Sequence, residues 1–100
     1  MILETAILDV KSGESAAFEA AFAGAQRILA ASPGYLGHEL RRCVERPARY
    51  LLLVRWRTLE DHTVGFRGSA SYDDWRRRLH GFYDPFPVVE HWSPLFGNGT

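Results

Sequence analysis

The stretch Tyr50-Leu51-Leu52-Leu53-Val54-Arg55-Trp56 constrains the fold more than any other. It is short, leucine-rich, aromatic and β-branched, so it reads as a strand. Side chains alternate across a strand. Tyr50, Leu52, Val54 and Trp56 therefore share one face, and Leu51, Leu53 and Arg55 share the other. Both faces are apolar for most of the length. A half-exposed antiparallel strand shows one polar face instead. This strand is expected to be covered on both sides.

The rest of the chain supplies one cover. Residues 2–10 form a first strand, with Ile2, Ala6, Leu8 and Val10 on one parity and Leu3, Thr5 and Ile7 on the other. A helix is expected from Glu14 to Ala31, capped by Ser12. Phe18, Ala21, Phe22, Ala25, Ile28 and Leu29 form its apolar stripe. Ser32-Pro33-Gly34 stops it. Tyr35 to Val44 reads as a second strand, with Leu36, His38, Leu40 and Arg42 on one face and Tyr35, Glu39 and Arg41 on the other. Its turn makes a hairpin with the Tyr50–Trp56 strand. Thr58 and Asp61 form a shortened capping box ahead of a helix whose inner face is Leu59, His62, Thr63 and Phe66. Gly68-Ser69 breaks that helix. Ser71 is placed to cap another, from Tyr72 to Phe82, with Tyr72, Trp75, Leu79 and Phe82 inward. Val88 to Trp92 is a short last strand. Residues 1–96 are expected to make one domain of ordinary size, with residues 97–100 expected as a flexible tail.

The order is β-α-β-β-α-β, the ferredoxin-like split arrangement of the α+β class: one antiparallel sheet with helices on one face. Nothing in a chain of this length is left to cover the other face. A second copy of the sheet is the cheapest cover, so a homodimer is expected.

Charge excludes several partners. Twelve basic and twelve acidic residues cancel, which gives no reason to expect nucleic acid or an anionic membrane. No apolar run reaches the roughly 20 residues of a membrane-spanning helix. No signal peptide is visible, and the single cysteine, Cys43, suits a reducing cytoplasm. No glycine-rich phosphate loop follows a strand, and no histidine pair has helical i, i+4 spacing, so no nucleotide cofactor and no metal are expected. Arg76-Arg77-Arg78 follows Asp73 and Asp74 by three or four residues, the pattern of a paired, solvated helix face.

Pro33-Gly34-Tyr35-Leu36-Gly37-His38-Glu39-Leu40, Tyr50 to Trp56, Leu59-Glu60-Asp61-His62, Phe66-Arg67, Tyr72, Trp75 and Val89-Glu90-His91-Trp92 together resemble the antibiotic biosynthesis monooxygenase family over nearly the whole chain. The resemblance implies a dimeric α+β barrel. It also implies a scaffold used by oxygenases that oxidise polycyclic phenols or quinols without metal or flavin, and by haem-degrading enzymes. Many members carry a histidine near the end of the helix after the third strand; here that place falls on Phe66, and the nearest imidazole is His62, one turn earlier. The haem-degrading branch has an Asn on its first strand; here Thr5 is the only neutral polar residue, so no haem function is carried over.

The candidate catalytic residues are His62, Tyr72 and Trp75. His62 or Tyr72 would assist removal of a phenolic proton, and Trp75 would be a stacking wall. Phe66, His38, Leu79 and Phe82 are the candidate substrate-binding residues. Ordinary core is the alternative for each, and the simpler one for Leu79 and Phe82. His80 is expected in solvent, and His91 is open. Two functions follow. One is a cofactor-independent monooxygenase acting on a small aromatic phenol or quinol between helices and sheet. The other is a non-catalytic dimer that binds a small molecule. That dimer could also bind only itself, and a space filled with side chains would remove most of the support for the enzyme.

Overall fold

β-Branched and leucine-rich segments pair exactly where their alternation lets one face meet helices. The structure is a computed structural model and describes residues 1–97. The expected tail beyond Gly97 lies outside the described residues. Strand β1 (Ile2–Asp9) leads to helix α1 (Ser15–Ala30), then to β2 (Tyr35–Arg42) and β3 (Arg49–Trp56). A π-helical turn (Asp61–Phe66) precedes α2 (Ala70–Leu79), which tightens into a 3₁₀ turn (His80–Phe82) before β4 (Val89–Trp92). All pairings are antiparallel, in the order β2-β3-β1-β4. This is the ferredoxin-like α+β arrangement. Among the described residues no helix is long and apolar enough to cross a membrane.

One side of the sheet is the core. Tyr50, Leu52, Val54 and Trp56 of β3 are buried beside Ala6 and Leu8 of β1. They meet Phe18, Phe22, Ala25 and Leu29 of α1, and Trp75 and Leu79 of α2. Phe18 is fully buried and packs its ring on Phe22, Tyr50, Phe82 and Tyr83. Burial of such a side chain stabilises by about 2–3 kcal/mol. The other side of the sheet has no cover among the described residues. Leu51 and Leu53 are partly exposed there, and Ile7 and Trp92 are about half exposed.

Several local expectations need correcting. Ser12 does not cap α1: the cap position is Glu14, without a side-chain bond, because Gly13 turns the chain with φ +80°. Ser69, not Ser71, caps α2, its hydroxyl accepting the Tyr72 N–H. The Thr58–Asp61 capping box is present: each side chain accepts the other's backbone N–H, at 3.2 and 3.1 Å. Strand β2 carries an irregularity between Tyr35 and Gly37. An extra residue in one strand reverses the alternation before it. Tyr35 therefore lies opposite Trp56, on the same side as His38 and Leu40, while Leu36 is exposed. Helix α2 stops at Leu79, so Phe82 follows it in the tighter turn.

Candidate active site

The site begins with a carboxyl on the wrong side of a strand. Glu4 shares its parity with Ala6, Leu8 and Val10, so β1 points it into the core, where it is 6% exposed. Glu4 is paired with Val54 of β3 and His91 of β4. Trp56 is two residues beyond Val54 on the same face, which is the diagonal distance that long side chains reach across. Its indole N–H donates to Glu4 Oε1 at 2.9 Å.

The π-helical turn brings in the next group. Its wider winding and the i→i+5 bond from Arg67 N–H to the His62 carbonyl leave both His62 and Phe66 buried. Such turns recur at functional sites. His62 lies flat on Trp56, with ring centroids 5.3 Å apart and planes 17° apart. Its Nε2 is 3.4 Å from Glu4 Oε1, and its Nδ1 is 2.8 Å from His91 Nε2. A hydrogen-bonded pair of neutral imidazoles shares one proton, so one ring donates and the other accepts. Trp56, Glu4, His62 and His91 thus form a continuous polar chain in an apolar surrounding.

Burial sets their titration. It raises the Glu4 carboxyl above its ordinary value, opposed by the Trp56 hydrogen bond and the Arg67 charge. It lowers His62 to about 3, assisted by the charges of Arg67 and His91. His91 is lowered by burial and then by Arg67. Both members of the Glu4–His62 contact are pushed toward their neutral forms.

Beside this chain is a cavity of about 380 Å³ between sheet and helices. Glu4 and His62 line its polar end; Phe66, Tyr72 and Trp75 wall it. Tyr72 and Trp75 meet Phe66 edge-on at 5.4 and 6.0 Å. Phe86, from the loop before β4, packs on His80 at 5.0 Å, and both line the same space. The space is not filled by side chains, as either a monooxygenase or a small-molecule binder requires.

The structure brings His62, Phe66, Tyr72 and Trp75 together there and leaves three candidates elsewhere. Leu79 is fully buried core, and Phe82 packs on Phe18 at 5.8 Å. His38 bonds Gln26 Oε1 at 2.9 Å and the Tyr35 hydroxyl. It lines a separate groove of about 490 Å³ between α1 and β2, with Phe22, Arg42 and Tyr50. His80 is not in solvent: it is half-buried on the cavity wall because α2 ends one residue before it. Glu4 was not singled out by sequence, although a charge at an inward parity is a readable signal. Among the described residues no three His, Cys, Asp or Glu side chains converge to hold one metal ion; His62 directs its two nitrogens to different partners.

The model of the family described as antibiotic biosynthesis monooxygenase matches residues 1–78. The chain belongs to that family. Among curated proteins it is 51% identical, over 95 residues, to the uncharacterized protein YczJ of Bacillus subtilis strain 168; the match covers 95% of this chain and all of that one. A candidate antibiotic biosynthesis monooxygenase from Bordetella bronchiseptica is 36% identical, with a TM-score of 0.90 over 95% of this chain and 97% of that one. SnoaB, a cofactor-independent oxygenase from Streptomyces nogalater, is only 16% identical but shares the fold, with a TM-score of 0.83 over 96% and 94% of the two chains. In this antibiotic biosynthesis monooxygenase scaffold the matched residues hold Glu4, Trp56, His62 and all three aromatic walls, whereas His91 comes from the last strand, beyond them.

Proposed function

We propose that the protein is a cofactor-independent monooxygenase that oxidises a small phenol or quinol in the cavity between helices and sheet. The observation that carries this reading is the cavity itself: an aromatic-walled space with titratable groups at one end, in a chain of this family. An electron-rich phenol reduces oxygen once it is deprotonated. Such a reaction needs a dry pocket, a proton acceptor and a held orientation. Trp75 and Phe66 supply flat apolar surface for stacking. His62 and Tyr72 adjoin the ring that would bind there.

The test is oxygen uptake with a panel of quinols, naphthols and anthrones, together with Trp75→Ala. Turnover by the wild type, with a raised KM in Trp75→Ala, supports the reading. Binding of these aromatics without oxygen uptake favours the non-catalytic small-molecule binder. One observation favours that second reading: both ring nitrogens of His62 already face protein partners.

The reading includes a homodimer. Its support is the uncovered sheet face, where Ile7, Leu51, Leu53, Val88 and Trp92 stand partly or largely exposed. Two such faces stacked would bury about 2,000 Å² or more, as obligate interfaces do. Cytoplasmic placement is part of the same reading and rests on the lone Cys43.

A further inference from the structure

We propose that Glu4 is the acid–base residue of this cavity, and that His62, held by His91, is the positioning residue that orients its carboxyl. The assignment rests on the oxygenase reading above and names the proton acceptor it requires.

The geometry divides the two oxygens of Glu4. Trp56 and His62 converge on Oε1, at 2.9 and 3.4 Å. Oε2 makes no hydrogen bond among the described residues, yet no fully buried side-chain oxygen there is left without a partner. Oε2 therefore touches accessible space, and the cavity is the space that Glu4 lines. One oxygen is anchored and the other is presented to the ligand. His62 is the poorer acceptor. Its Nδ1 is committed to His91 and its Nε2 faces Glu4. It also stays neutral well below neutral pH. Burial instead raises the Glu4 carboxyl above its ordinary value, which makes its carboxylate a stronger proton acceptor.

The groups facing Glu4 come from every neighbouring element. Trp56 on β3 and His62 on the π-helical turn touch it; Arg67 beyond that turn favours its charged form. His91 on β4 is its pairing partner, and Tyr72 and His80 share its cavity.

The chemistry balances with oxygen as the named oxidant. The substrate is a phenol with a ring C–H para to its hydroxyl. Glu4 carboxylate takes the phenolic proton, and the phenolate passes an electron to O₂. The resulting radicals combine at the para carbon, and the new peroxide takes the proton back from Glu4. Glu4 then removes the proton on that carbon; the O–O bond breaks as the second C=O forms, and the departing hydroxide leaves as water with that proton. One phenol and one O₂ give one para-quinone and one water, four electrons passing from the ring to oxygen.

The experiment measures oxygen uptake and quinone formation from 1-naphthol and anthrone against pH, with circular dichroism as a control on folding. The wild-type rate is expected to rise with pH as Glu4 ionises. Glu4→Gln should lower kcat by about 10²- to 10⁴-fold and remove that rise, with KM little changed. His62→Gln should keep the rise while losing up to about 10² in kcat through misplacement of the carboxyl. Trp56→Phe removes one N–H from the carboxylate and should move the rise to higher pH. Wild-type kcat and pH profile in a folded Glu4→Gln overturn the assignment. If Glu4→Gln does not fold, an unmoved profile in Trp56→Phe overturns it and a shifted one supports it. A wild type that oxidises neither compound overturns the oxygenase reading, and this assignment with it.

Discussion

Replacing His62 with glutamine should remove much of the loss of stability that the protein suffers on acidification. In the folded chain His62 is held at about 3, against an ordinary value of 6.5. The unfolded state therefore binds this proton more tightly. The stability that follows from keeping His62 neutral is fully present above about pH 6.5 and is lost progressively as pH falls toward 3. Two pH units of that range lie between pH 6.5 and 4.5, and at roughly 1.4 kcal/mol per unit the loss is on the order of 3 kcal/mol. The side chain is only 4% exposed, so little solvent screening offsets the figure. Glu4 works in the opposite sense: its raised value favours the folded state as pH falls. Glu4, His91 and Arg67 remain in the variant, so their direct contributions cancel to first order. The assay is urea unfolding of wild type and His62→Gln at pH 7 and pH 4.5, at one protein concentration because association shifts apparent stability. The difference between the two pH-induced losses is the quantity of interest. A value under about 0.5 kcal/mol, the scatter of independent sites, would refute the claim that His62 is forced to stay neutral in the core.

Leu52→Asp and Leu53→Asp should separate the two faces of β3. Leu52 is in the core, and an unpaired charge there should unfold the chain; Leu53 is on the open face, and its substitution should yield a folded monomer by sedimentation, in contrast to the dimer proposed for the wild type. Ser69→Ala removes the hydroxyl that accepts the Tyr72 N–H and should cost about 1 kcal/mol in denaturant unfolding. Gly34→Ala should cost more, about 2–3 kcal/mol: φ there is +84° and the added methyl would overlap the Asp61 carboxyl, combining left-handed strain with a disturbed cap. Equal stability of Gly34→Ala and wild type would show that the turn relaxes freely.

Much of the fold was legible because its signals are local. The short leucine-rich, aromatic and β-branched run Tyr50–Trp56 reads as a strand whatever it pairs with, and the three- and four-residue spacing of Phe18, Phe22, Ala25 and Leu29 gives a helix with one buried stripe. The Thr58–Asp61 box works over one turn and was readable in the same way. Errors arose where two local solutions compete. Ser69 and Ser71 are both competent caps, and which hydroxyl meets an N–H depends on where packing of Trp75 and Leu79 starts the helix. In β2, a single extra residue decides which side Tyr35 takes.

The site divides along the same line. By itself the sequence determined that His62 shares a helical face with Phe66, that Tyr72 and Trp75 share another, and that Glu4 sits at the parity of Ala6 and Leu8. Tertiary structure alone decided that these faces meet. Glu4, Trp56, His62 and His91 lie on β1, β3, the π-helical turn and β4, separated by up to 87 positions, and only antiparallel register brings Glu4 opposite His91 and diagonal to Trp56. Tertiary structure likewise sent His38 to a different groove and closed Leu79 into the core. The physical reason is range. Backbone geometry fixes which side a residue faces within a few positions, whereas hydrogen bonds and burial between distant residues exist only once the sheet and helices are packed.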